Sequence, residues 1–142
     1  MRTVRQLLDI KGRETYSVRP EQMMYEAITQ MAERSVGALL VVESERLVGI
    51  VSERDYARKI ILKGRASRET PVRDVMTATV ITTGEDATVD ACMRLMSENR
   101  IRHLPVVDGE KIVGMLSIGD LVKAVISDQQ FEIEQLSHYI AG

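Results

Sequence analysis

Apolar residues recur at helical spacing in two stretches of the chain. In PEQMMYEAITQMAERS (20–35) they are Met24, Ala27, Ile28 and Met31, with Pro20 near the start. In EDATVDACMRLMSENR (85–100) they are Val89, Cys92, Met93 and Met96. This spacing gathers them on one helix face. Each stretch is followed by two short runs rich in β-branched residues joined by a tight turn. These are ALLVVE with RLVGIVS, then HLPVVD with KIVGMLS, where Asp108-Gly109 supplies the second turn. A second helix follows in ERDYARKIILKG, with Lys59 and Lys63 in its last turn and Gly64 as its stop. Short strands are expected ahead of the first helices, in TYSVRP and TVITTGED. The order strand, helix, strand, strand, helix, met twice, predicts an α/β fold.

The two halves are copies. Shifting the chain by 65 positions aligns 20–60 with 85–125 without a gap. Identities then fall at Met31/Met96, Leu39/Leu104, Val41/Val106, Val42/Val107, Val48/Val113, Gly49/Gly114, Ser52/Ser117 and Asp55/Asp120. A unit of this size buries only ~60% of its unfolded surface, so one copy lacks the core to stand alone. Two copies packed sheet to sheet, with pseudo-twofold symmetry, would share one. We therefore expect a first repeat over 1–63, a polar linker with Gly and Pro over 64–74, a second repeat over 75–125 and a C-terminal helical tail over 126–142. In that tail Phe131, Ile133 and Leu136 are available for docking.

Composition narrows the partners. The chain has no Trp and a single Phe, so the core is aliphatic and methionine-rich. A net charge of −2 gives no attraction to phosphate backbones, and no nucleic acid is expected. One cysteine, Cys92, excludes an internal disulfide, and no Cys/His cluster suggests zinc. Met23, Met24, Met31, Met93 and Met96 read as interface or core packing; faces bearing them on both repeats exceed what one small sandwich needs, which points to a homodimer. The N-terminus lacks an apolar signal core, and no stretch approaches ~20 uncharged apolar residues. A cytoplasmic protein with no membrane span is expected.

The candidate chemistry sits in the repeated heptapeptides GIVSERD (49–55) and GMLSIGD (114–120). Ser52 with Asp55, and Ser117 with Asp120, fit a capping box where a strand turns into a helix, worth ~1 kcal/mol each. On that reading Gly49 and Gly114 only relieve crowding. The same helix start carries unpaired N–H groups and a partial positive charge, so it can hold a phosphate beside the serine. The aspartate one turn on can accept hydrogen bonds from a ribose cis-diol. The two roles are equally compatible with the spacing and can coexist. Arg54 is either a solvated first-turn residue or a phosphate donor, and Thr77 either a turn residue or a cleft-lining hydroxyl. His103 beside Arg102 is either a surface residue next to a strand or a phosphate contact.

The stretches GALLVVE…LVGIVSERDYARK, DVMT at 74–77 and RHLPVVD…GEKIVGMLSIGDLVKA resemble the CBS domain, named after cystathionine β-synthase. The resemblance runs from about Val4 to about Ala124 and implies a tandem pair, or Bateman module. It implies an adenosine-containing ligand (AMP, ADP, ATP or NAD(H)) in clefts between the repeats. The motif Asp would hold the ribose and the motif Ser would approach phosphate. Residues just before the second strand would reach the neighbouring cleft. Arg102 and His103, with Pro105 after them, would then meet the ligand held by Asp55, whereas Gly37 and Ala38, their uncharged counterparts, would face the one held by Asp120. The clefts should not be equivalent, and Asp55 should mark the stronger.

Three classes of function compete. One is a nucleotide-responsive regulatory module whose bound ligand biases the arrangement of repeats or dimer, read by a separate partner protein in trans. The second is a ligand-free interaction or scaffolding module. The third, an enzyme, is disfavoured: the chain has no P-loop, no G-x-G-x-x-G and no Ser/His/Asp set, and the repeats consume its length. Retention of both serines and both aspartates, with Arg102 and His103 added, favours the first.

Overall fold

The computed structural model describes residues 2–141. Its elements are α1 (Val4–Lys11), β1 (Ser17–Val18), α2 (Met24–Arg34), β2 (Ala38–Glu43), β3 (Arg46–Ser52), α3 (Glu53–Tyr56), a π-helical turn (Ala57–Ile61), a 3-10 turn (Val72–Asp74), α4 (Val89–Asn99), β4 (His103–Asp108), β5 (Lys111–Ser117) and α5 (Ile118–Ala141). The expected α/β fold and both repeats are present. The chain forms two compact units, one of Glu14–Ile81 with Gly109–Val113, the other of Met1–Arg13, Thr82–Asp108 and Gly114–Gly142.

In the unit of the first repeat, β1 runs parallel to β2 (Val18 opposite Val41) and β2 antiparallel to β3, with a bulge between Val41 and Val42. Met24, Ala27 and Met31 on α2 pack with Leu39, Val41, Val51 and Ile60. In the other unit β4 pairs with β5, and the strand expected in TVITTGED shrinks to one parallel bridge, Thr83 to Val106. That bridge occupies the place of Val18 to Val41, 65 positions on. Duplication also reaches the helix ends: Val36 N–H donates to Met31 O and Ile101 N–H to Met96 O, both at 3.0 Å.

The unit boundaries depart from those read in the sequence. By contact, residues 2–13, assigned there to the first repeat, cluster with the second, and 64–74, read as a linker, lies within the compact unit of the first. Thr70 and Val72 are 2% and 0% exposed. The two leading segments bind their helices alike. Met24 N–H donates to Thr70 O and Val72 N–H to Gln22 O; Val89 N–H donates to Arg2 O and Val4 N–H to Ala87 O. Arg73 to Pro20 and Arg5 to Glu85 continue the match. Each repeat thus has its α2-type helix start closed by a segment carrying Val-Arg.

Three further expectations change. Pro20 lies ahead of α2, which begins at Met24. The second helix of the first repeat becomes α3 followed by a π turn, which buries Ile60 and leaves Ile61 and Leu62 exposed. The tail is not a separate helix but the continuation of α5, 24 residues long. Of the five methionines read as core or interface, Met24, Met31 and Met96 are at most 1% exposed and fill the cores, while Met23 and Met93 are half-buried.

Candidate functional site

Both heptapeptides form the capping box. Ser52 keeps the extended backbone of β3 (φ −133°, ψ 168°) and its Oγ accepts from Asp55 N–H at 3.2 Å. Asp55 Oδ2 accepts from Ser52 N–H at 2.9 Å and from Ser52 Oγ at 3.1 Å. In the second copy Ser117 Oγ accepts from Asp120 N–H at 3.2 Å, and Asp120 Oδ2 from Ser117 N–H at 2.8 Å. The glycines have a steric cause. A Cβ at Gly49 would sit 2.5 Å from Met76 Sδ and 3.2 Å from Thr77 O; at Gly114 it would sit 2.8 Å from Leu8 Cδ2. Met76 and Leu8 belong to the leading segments, so glycine is where each segment lies on its strand.

An ammonium stands beside each motif carboxylate, and the sequence reading missed both. Lys59 Nζ lies 3.2 Å from Asp55 Oδ1 and donates to Val75 O at 2.7 Å. Lys11 Nζ lies 2.7 Å from Asp120 Oδ2 and donates to Met115 O at 2.7 Å. Lys59 was legible as an i,i+4 partner of Asp55. Lys11 sits more than one hundred positions from Asp120 on a segment read as part of the other repeat, and nothing local announces it. Burial pushes the Asp120 carboxyl up, but Lys11 and the Ser117 amide outweigh it and hold the group below its ordinary value.

The residues before each second strand lie at the helix starts of their own repeat. Gly37 O accepts from Glu53 N–H at 3.1 Å, and Arg102 O from Ile118 N–H at 2.8 Å. Arg102 is exposed and His103 half-buried. Burial pushes the His103 imidazole below its ordinary 6.5; Asp120 pulls it back up, while Arg102 and Lys11 lower it further. Ala38 and Pro105 are buried in β2 and β4, with Pro105 O accepting from Thr83 N–H. Arg54 is exposed. Thr77 is exposed too; its N–H donates to Ile50 O at 2.9 Å and its O accepts from Ile50 N–H at 3.0 Å. A depression of about 420 Å³ along α2, lined by Tyr25, Thr29 and Glu33 among others, includes none of these residues. Among the described residues no group of His, Cys, Asp and Glu is arranged to hold a metal, and no helix is long and apolar enough to cross a membrane.

A profile of the CBS domain matches residues 8–62 and again 72–127. The chain belongs to the CBS domain family. It is 44% identical over 127 residues to the CBS domain-containing protein CBSX3 of Arabidopsis thaliana, named as mitochondrial. That match covers 86% of this chain but only 62% of the relative's length. Among solved structures, a candidate signal-transduction protein with CBS domains from Burkholderia ambifaria superposes with a TM-score of 0.87 at 51% identity, covering 90% of this chain and 96% of its own. The CBS domain pair of protein MJ0100, in complex with 5′-methylthioadenosine and S-adenosyl-L-methionine, gives 0.80 at 25% identity, covering 90% and 98%. The caps at Ser52–Asp55 and Ser117–Asp120 fall one in each of the two matched segments.

Proposed function

We propose that this CBS pair is a regulatory module that binds an adenosine-containing ligand (AMP, ADP, ATP or NAD(H)) and passes its state, as a homodimer, to a separate protein. The observation that carries the reading is the doubled strand-to-helix cap, with a carboxylate for a ribose, a serine hydroxyl and an ammonium side by side in each repeat. The nucleoside ligands of the MJ0100 pair support the adenosine part. Ser52, Asp55, Ser117 and Asp120 are the anchors, and Arg54, Arg102 and His103 supply donors for phosphate.

The two aspartates are not equal. Asp120 is held by Lys11 at 2.7 Å and Asp55 by Lys59 at 3.2 Å, so a ribose diol displaces the Asp55 pair more readily. We expect Asp55 to hold the tighter ligand. Calorimetric titration of AMP, ATP, NADH and S-adenosylmethionine into wild type, Asp55→Ala and Asp120→Ala reads this. Loss of a charge-assisted hydrogen bond worth ~1.5–3 kcal/mol weakens binding roughly ten- to a hundred-fold. If Asp120→Ala abolishes the tight event and Asp55→Ala leaves it, the order is reversed. No binding heat and no thermal stabilisation by any of the four would leave the ligand-free interaction module as the better reading.

A further inference from the structure

The net charge of −2 hides one cationic region. The stretch ARKIILKGRASR (57–68) holds five of the chain's 19 Lys and Arg and none of its 21 Asp and Glu. At its centre two large aliphatic side chains face solvent, Ile61 at 57% and Leu62 at 78% exposed. Their neighbour Ile60 is 1% exposed and ties the π turn to the core. The backbone around them is fixed. Leu62 N–H donates to Ala57 O at 3.1 Å and Arg65 N–H to Ile60 O at 2.9 Å, while Tyr25 N–H donates to Ser67 O at 3.0 Å. Every residue from Ile61 to Ala66 is exposed, so the turn protrudes and holds the aliphatic pair out in water. The cations divide by partner. Lys59 is turned toward Asp55, Arg65 pairs with Asp74 at 3.2 Å, and Arg68 lies 4.2 Å over the Tyr25 ring. Arg58 and Lys63, on either side of the aliphatic pair, have no ion pair among the described residues.

We propose that this turn docks on an anionic lipid surface, with Ile61 and Leu62 entering the interface and Arg58, Lys63 and Arg65 among the head groups. Such a surface rewards two things at once, apolar side chains that leave water and cations beside them. The turn offers both within eight residues, Arg58 to Arg65. A nucleic acid would use the cations but leave the aliphatic pair idle, because the stretch has no aromatic ring on which a base could stack. An acidic protein would need a pocket cut to two adjacent side chains on a protruding turn; a bilayer needs none. The acidic remainder of the chain is repelled by the same surface, which turns this face toward it. Contact of this kind is peripheral and calls for no membrane-spanning helix. It is independent of which ligand the caps hold.

The experiment is cosedimentation of the full chain with vesicles of phosphatidylcholine containing about one-third phosphatidylserine. Binding is expected at low ionic strength, lost in high salt and absent on phosphatidylcholine alone. Arg58→Gln with Lys63→Gln should weaken it about thirty-fold, at about five-fold per cation. Leu62→Ser leaves the charge unchanged and should weaken it about ten-fold. All three side chains are exposed, so the variants keep the fold. Arg94→Gln with Lys111→Gln makes the same change of charge elsewhere on the surface and should alter binding by about two-fold at most. No binding to the anionic vesicles would overturn the proposal. An equal loss in the Arg94 and Lys111 pair would overturn it as well, since net charge alone would then be at work. Binding indifferent to Leu62→Ser would leave only a cationic patch for some other polyanion, and the proposal would fall. Leu62→Cys should react with a water-soluble maleimide in the free protein and be shielded on the vesicles; Cys92 is buried and does not compete. A Leu62→Cys thiol already shielded without lipid would show that protein covers the turn, which sinks the proposal equally.

Discussion

The two repeats share a frame and differ in what they hang on it. Both close the heptapeptide with the same reciprocal Ser–Asp bonds, both set a lysine against the aspartate, and both lay a Val-Arg segment on the start of the long helix. What has diverged is charge and reach. Gly37 and Ala38 in one correspond to Arg102 and His103 in the other. Lys59 comes from the capped helix itself, while Lys11 comes from the leading segment. The helix after the cap ends in a π turn in the first repeat and runs on for 24 residues in the second. Backbone geometry is what duplication kept, because each cap and glycine satisfies a local steric or hydrogen-bond demand. Side chains under no such local demand were free to differ.

The sharpest break of that symmetry is steric. At Gly49 an added methyl meets the Thr77 carbonyl at 3.2 Å as well as Met76 Sδ, and a bridged backbone cannot give way cheaply. At Gly114 it meets only the ends of the Leu8 side chain, at 2.8 and 2.9 Å. Gly49→Ala should therefore cost about 1–3 kcal/mol, and Gly114→Ala distinctly less. Thermal unfolding of the two variants checks this; equal losses would mean the two leading segments are held with equal stiffness.

The division between what was legible and what was not follows the range of the forces. Repeat order, core-facing Met24, Ala27, Met31, Val89, Cys92 and Met96, and both caps follow from periods and spacings of a few residues. The segment exchange was hidden because Arg2–Arg5 and Thr70–Arg73 match at a shift of 68, three more than the rest. An ungapped comparison passes over a pair as short as Val-Arg. Lys11 was invisible for the same reason, as its partner is fixed only once that segment is placed. The tail was seen as apolar, but its continuity with α5 rests on nothing breaking the helix between Ser117 and Ala141, which three tempting residues (Phe131, Ile133, Leu136) did not reveal.

A smaller effect separates the repeats by pH. The folded protein keeps His103 neutral below its ordinary 6.5, so the stability this group contributes is fully present above that pH. It is lost as the pH falls from 6.5 toward the lowered folded value. Asp120 acts further down: its folded value is depressed below 3.8, so its contribution is present above 3.8 and is lost as the pH falls through the depressed value. Two steps of destabilisation on acidification are expected, and His103→Gln should remove the upper one alone. The first repeat, with Ala38 at the matching position, contributes nothing to that upper step. Urea midpoints at closely spaced pH values read it, and an unchanged profile in His103→Gln would show that the imidazole titrates freely.

The smallest difference expected is none at all, at the ends of α2 and α4. Ser35 closes α2 at φ 55°, ψ 42°, and Arg100 closes α4 at φ 54°, ψ 43°. Both are left-handed positions, where a side chain costs about 1–2 kcal/mol relative to glycine in a helix context. Glycine gives part of that back through its freer unfolded chain, so Ser35→Gly and Arg100→Gly should each stabilise by about 0.5–1 kcal/mol. The two gains should agree within a few tenths, because the dihedrals agree within a degree and both side chains are exposed. Denaturant unfolding of each variant tests the comparison where it is tightest. A gain at Ser35 with a loss at Arg100 would mean that the Arg100 guanidinium has been kept for something its backbone position does not require, which would move it to the diverged set with Arg102 and His103.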